Sequence, residues 1–195
     1  MKALQVAGLL IALLLGGCAG SRGGMVKATD VSPVGSGQAR VIFMRLSSVG
    51  FAIGASVYDV TGEDSKIIGI INNGSKVAYD LPPGQHTFMV VSEAADFMEA
   101  TVLPGKTYYA LVTPRIGAWK ARFSFKPLRQ ADFATDEFAR WDTGTSWVEL
   151  GDKTRLWAER NAANIEEKRA KYWPEWSSKD LHQRESQTLN PDDGR

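Results

Sequence analysis

The side chains of this sequence that could do chemistry are few. They are one cysteine, Cys18, two histidines, His86 and His182, and a group of carboxylates at Asp132, Asp136 and Glu137. Six tryptophans complete the set, and five of them fall between residues 141 and 176. A lone cysteine forms no internal disulfide and no thiolate cluster, so Cys18 is free only for modification. Neither histidine has a second His, Cys or carboxylate at ligand spacing, which argues against a zinc site. His86 follows a turn and reads as structural, and His182 stands in a polar stretch. Asp132, Asp136 and Glu137 have the composition of an acid–base pair, but at the start of a short helical stretch they suit the positive end of its dipole. There is no G-x-S-x-G elbow, Walker loop or dinucleotide fingerprint. Gly35-Ser36-Gly37 lacks the preceding strand and following helix of a phosphate cradle. The expectation is a protein with no catalytic apparatus, metal or cofactor.

Cys18 gains meaning from what precedes it. Met1-Lys2 supplies one positive charge, and Ala3 to Leu15 form a 13-residue, mostly apolar run. That length suits a signal-peptide core and is short for a membrane-spanning helix. The run ends in Leu15-Gly16-Gly17-Cys18, which resembles the lipobox of bacterial lipoproteins. The resemblance implies that residues 1–17 are a signal peptide cut between Gly17 and Cys18, with lipid on the Cys18 sulfur. Two or more acyl chains anchor stably, since each buried CH₂ contributes roughly 0.8 kcal/mol. Ala19 follows the cysteine, and by the family's sorting pattern this implies an outer-membrane anchor facing the periplasm where the organism has an outer membrane. Residues 18–38, rich in Gly and Ser, read as the lipidated cysteine and a flexible tether.

Charge narrows the partners. Loss of residues 1–17 removes Lys2 and leaves 22 basic and 22 acidic side chains. A neutral protein has no field to gather nucleic acid or an anionic bilayer. Lys168, Arg169 and Lys171 are offset by Glu166 and Glu167 and read as a solvated helix face.

The elements that position these residues are legible in outline. Turn residues recur at 61–64, 72–74, 82–84, 93–96, 104–105 and 114–115, a beat of about 10–12 residues that marks short strands. Between them, residues 40–46, 55–60, 66–71, 75–81, 85–92, 97–103, 106–113 and 120–127 read as strands. In the last, Ala121, Phe123 and Phe125 alternate with polar residues, giving one buried and one wet face. Phe88 and Val90 oppose Met89 and Val91, so that strand expects cover on both sides. Asn73-Gly74 suggests a tight hairpin turn. The fold class is therefore mainly β, an antiparallel β-sandwich of about 7–8 strands over residues 39–128, with a C-terminal α-helical extension. The pieces Leu81-Pro82-Pro83-Gly84-Gln85-His86 and Leu103-Pro104-Gly105-Lys106-Thr107-Tyr108-Tyr109 resemble uncharacterised bacterial lipoproteins with a PEGA-like or carboxypeptidase-regulatory-like sandwich. That resemblance implies a non-enzymatic accessory domain and brings no ligand residues with it.

From residue 129 the strand rhythm stops. Residues 131–141 read as a short helix and 146–150 as one more strand. A long helix follows from Asp152, taken as its N-cap, to about Trp173, with Pro174 near its end. Trp157, Ile165, Tyr172 and Trp176 would share one side. Residues 129–176 thus form an extension packing on the sandwich, and 177–195 a loosely docked polar tail. The aromatic residues Tyr108, Tyr109, Trp119, Trp141, Trp147, Trp157, Trp173 and Trp176 have two readings. They clamp the extension onto the sandwich, or they form a binding face for a glycan or a protein. The expected function is a lipid-anchored envelope protein that binds or scaffolds another envelope protein, with a glycan- or peptidoglycan-binding lipoprotein as the alternative.

Overall fold

The structure, a computed structural model, describes residues 24–29, 31–47, 49–50, 52–115 and 122–195. Gly17, Cys18 and Trp119 lie outside the described residues. The strands are β1 (Val26–Lys27), β2 (Ala39–Arg45), β3 (Ala55–Asp59), β4 (Lys66–Ile71), β5 (Ser75–Leu81), β6 (Gly84–Val91), β7 (Ala95–Val102), β8 (Thr107–Arg115), β9 (Arg122–Pro127), β10 (Ser146–Glu149) and β11 (Thr188–Leu189). The helices are α1 (Asp136–Thr143), α2 (Asp152–Ser177) and α3 (Leu181–Glu185). One sheet has the order β1-β10-β5-β2-β8-β9 and the other β11-β7-β6-β3-β4.

The protein is mainly β with a helical C-terminal part, but the sheets are mixed and hold eleven strands among the described residues, so the expectation of 7–8 antiparallel strands is corrected. Parallel pairs join β2 to β8, β10 to β5 and β11 to β7. The physical reason lies at the turns. Asn73-Gly74 does supply a positive φ, +76° at Gly74, yet it builds a corner between sheets and not a hairpin. Gly74 N–H donates to the Arg45 carbonyl at 2.9 Å, and Ser146 N–H donates to the Gly74 carbonyl at 2.9 Å. Pro82-Pro83 and Pro104-Gly105 likewise carry the chain from one sheet to the other. At these corners consecutive strands go to different sheets, while β3–β4, β6–β7 and β8–β9 stay paired as antiparallel neighbours.

Period-two alternation makes four layers. Val41 and Phe43 of β2 and Phe88 and Val90 of β6 point between the sheets into the central core. Phe43 meets Phe88 at 5.1 Å and Phe125 at 5.6 Å between ring centroids. The intervening Ile42 and Met44 point outward to a second cluster with Phe138 and Trp141 of α1. Met89 and Val91 point outward on the other sheet to a third cluster with Ile165 and Trp176 of α2. Both faces of β2 and β6 are covered, as the unbroken apolar runs require. At one end of β2, Arg40 is held by Asp80 of the adjacent strand through two bonds of 2.5 and 2.7 Å.

Four further expectations are revised. The N-cap of α2 is Gly151, not Asp152. A side chain at Gly151 would meet the Gly24 carbonyl at 2.5 Å, so the close crossing of the N-terminal segment demands glycine there. The helix passes Pro174 and ends at Ser177, because Trp176 is drawn into the cluster outside β7, stacked 5.4 Å from Trp173. Residues 177–195 are no loose tail. Leu189 on β11 is fully buried in the central core, and the Arg195 backbone exchanges hydrogen bonds with Thr107 at 2.8 and 3.0 Å. Strand pairing and single anchoring side chains hold this polar stretch, which mean polarity does not reveal. The tether is also shorter than expected, since Met25 packs on the central core and β1 pairs with β10.

Candidate functional site

The aromatic residues do not gather on one face. Tyr108 and Tyr109 are buried, the first with its hydroxyl donating to the Pro191 carbonyl at 3.1 Å, the second beneath the Arg195 guanidinium. Trp141 and Trp176 are buried in different outer clusters, on opposite sides of the double sheet. Trp147 is half-buried under the Lys76 ammonium, and Trp173 is half-buried against Phe97. Only Trp157, 38% exposed, stands out from the surface among the described tryptophans. The aromatic row proposed as a binding face is therefore dismantled by packing: each large ring covers more sheet than any smaller residue could.

His86 and Asp132 are occupied by the backbone. His86 Nε2 lies 2.9 Å from the Pro82 carbonyl and closes its own turn. His182 is exposed on α3. The Asp132 carboxylate accepts from Arg129 N–H at 2.6 Å, and Asp136 and Glu137 sit in the first turn of α1, capped by the Thr135 hydroxyl. Among the described residues no three His, Cys, Asp or Glu side chains gather as a metal site. No described helix is long and apolar enough to cross a membrane.

The largest polar assembly was not visible as a motif. Asp96 on β7 is almost wholly buried and receives the Ser124 hydroxyl, Gln187 Nε2 at 2.6 Å, Lys179 Nζ at 3.1 Å and Arg115 at 3.3 Å. Gln187 also donates to Ser124 Oγ at 2.9 Å and accepts from Lys179 at 2.6 Å. The Ser124 proton is committed to a carboxylate already neutralised by two cations, so the hydroxyl has no base free to activate it. The arrangement is a latch that ties β7, β9 and the segment after α2 together. Five positions, from Asp96 to Gln187, meet here over a separation of 91 residues, and sequence spacing carries no sign of that.

A cleft of about 510 Å³ lies between α2 and the turn after β3, lined by Thr61, Glu63, Thr87, Glu166, Arg169 and Trp173 among others. Arg169 is spent on that turn, donating to the Val60, Gly62 and Glu63 carbonyls at 2.9, 2.8 and 2.6 Å. Burial governs the phenols. Tyr58 is pushed up to about 12 by desolvation, only partly offset by the Ser56 hydroxyl. Tyr79 is raised further, by burial first and then by its hydrogen bond to Asp59 and that carboxylate's charge. Neutral phenol is thus favoured in the folded state. Stability held below the unfolded value of 10.0 is lost as pH rises from there toward the folded values. Each such phenol costs at most about 1.4 kcal/mol per pH unit in that window. A spectrophotometric titration is expected to show Tyr58 and Tyr79 ionising later in the folded protein than in urea. Coincident curves would contradict this.

The described chain begins at Gly24, whose φ of +63° places it against the first turn of α2, so close that a side chain there would fall 2.8 Å from Lys153 Cβ. The N-terminal segment is thus delivered beside the exposed face of that helix. No protein-family model matches the chain, and a search of curated proteins finds no match.

Proposed function

We propose that this is a lipid-anchored protein of a bacterial cell envelope, cleaved before Cys18 and acylated on its sulfur. Its double-sheet domain binds or scaffolds another envelope macromolecule, in the first place a protein. The observation that carries the reading is the 13-residue apolar run closing in Leu-Gly-Gly-Cys, with the chain's one thiol at the point where the pattern requires it. Where the cell has an outer membrane, the Ala19 position assigns the anchor to it, facing the periplasm. The resemblance of the two Pro-Gly segments to PEGA-like lipoproteins supports a non-enzymatic role. The commitment of Asp96, Ser124 and Gln187 to one another and to neighbouring cations agrees with it. A glycan-binding role has less support, because its aromatic row is distributed between separate packing clusters.

Metabolic labelling with an alkynyl fatty acid tests the anchor. The wild-type chain is expected to take label, to lose residues 1–17 and to partition into detergent. Cys18→Ala is expected to remain an unlabelled precursor. A mature wild-type N-terminal peptide with a free Cys18 thiol would overturn the proposal.

A further inference from the structure

The geometry points to a bilayer-contacting face formed by the first half of α2 and by β1, which sets the domain's orientation on the membrane. This inference rests on the lipid anchor proposed above and adds to it a surface and an occupant, the interfacial zone of a phospholipid bilayer.

Distance comes first. Five residues separate Cys18 from Gly24, so the lipidated sulfur lies at most about 20 Å of chain from the docked backbone. A flexible stretch of that length has a typical end-to-end distance of only about 13 Å. The domain is held against the bilayer and not at the end of a long leash. Gly24 in turn packs on Lys153 and Thr154, which fixes the side of the domain nearest the anchor.

That side carries three of the large apolar side chains exposed among the described residues, Val26, Leu156 and Trp157. Lys153, Leu156, Trp157 and Arg160 stand at i, i+3, i+4 and i+7 and share one helix face. Leu156 is 48% exposed and Trp157 38%. Val26, at 44%, adjoins the start of the helix, since a side chain on Gly151 would fall 2.9 Å from its Cγ1. Along residues 152–164 only Thr154 is buried, so three turns of helix present an outer face that is exposed among the described residues. The other half of α2 buries Ile165 and Trp176 in its sheet. A leucine, an indole and long basic side chains on a helix lying beside a lipid anchor suit the interface, where the rings sit at headgroup depth and the cations reach outward.

Charge decides how such a face would bind. Lys27, Lys153, Arg155 and Arg160 are opposed by Glu149, Asp152 and Glu159, so the local field nearly cancels. The apolar residues and the short tether hold the face down, and the contact is expected on zwitterionic lipid and in high salt alike. Without the anchor, two or three partly exposed side chains are too few for stable binding, so the surface orients the domain and does not recruit it.

The test uses the full lipidated protein reconstituted into phosphatidylcholine vesicles that carry a doxyl-quencher lipid. Arg160→Cys places an environment-sensitive fluorophore on the face while Leu156 and Trp157 stay in place. Glu137→Cys places it on α1, beyond the opposite sheet. Acylated Cys18 takes no label. In floated vesicles the Arg160 position is expected to be quenched about threefold more than the Glu137 position. Adding Leu156→Ser and Trp157→Ser is expected to bring it down to the Glu137 level, while flotation persists. Equal, weak quenching at both positions in floated protein would overturn the bilayer face and leave that surface to a protein partner. Protein that does not float, and whose Cys18 takes label, would overturn the anchor itself.

Discussion

Replacing Trp176 by alanine is expected to lower stability by about 3–5 kcal/mol, the usual cost of deleting a large buried aromatic ring. The indole is 2% exposed, stacks on Trp173 at 5.4 Å, and meets Phe97 at 6.0 Å. Its Nε1–H donates to Gln187 Oε1 at 3.3 Å. One substitution therefore loosens both the last turns of α2 and the segment that returns to pair β11 with β7. Trp157→Ala, made at an exposed indole on the same helix, is expected to change stability by no more than about 0.5 kcal/mol. Urea unfolding followed by near-ultraviolet circular dichroism distinguishes the two. Similar midpoints would show that Trp176 does not clamp the helix. The contrast also bears on function: the indole that can be lost without harm to the fold is the one placed to meet the bilayer.

The second large effect is expected at Asp96. Asp96→Ala leaves the Lys179 ammonium, the Arg115 guanidinium and the Gln187 amide without their common acceptor. Removing one partner of a buried ion pair costs up to about 3–5 kcal/mol where the other stays desolvated, as the Gln187 amide and most of Lys179 do here, while the half-exposed Arg115 regains water. Asp96→Asn keeps the volume but turns one acceptor into a donor facing other donors, so it is expected to rescue only part of the loss. Lys179→Ala in the Asp96→Ala background is expected to cost less than in the wild type, since the pair is already broken. Additive losses in the double variant would mean that the two side chains do not act as a unit. Two unlike latches, one aromatic and one ionic, thus fasten the same C-terminal segment.

The positions of the strands were readable from residue order because they depend on local rules. Residues 66–71 and 75–81 are strands in the structure as in the sequence reading, bounded by turn residues and marked by β-branched side chains. The double burial of β6 followed from Phe88 and Val90 opposing Met89 and Val91. The candidate anchor is likewise a matter of composition and spacing over fewer than twenty residues. Partnership was not readable. Whether Gly74 turns a hairpin or a corner depends on the carbonyl of Arg45, 29 residues earlier in the chain, accepting its amide. The parallel pairing of β2 with β8 joins Arg40 to Thr107, and no local pattern encodes a match at that separation.

The same division explains the aromatic residues. Their abundance after residue 140 was plain, and it correctly marked a region rich in contact area. Which of them are spent on the fold was settled only by the sheets they meet. Helical periodicity placed Trp157 and Trp176 on one stripe, but Trp176 meets Phe97 of β7 and is buried while Trp157 is exposed. Sequence by itself determined the amphipathic elements and the one modifiable thiol, because propensity, periodicity and signal-peptide chemistry act over neighbouring residues. Tertiary structure alone decided the sheet order, the Asp96 latch and the face beside Gly24, because each requires groups far apart in the chain to exclude the same water.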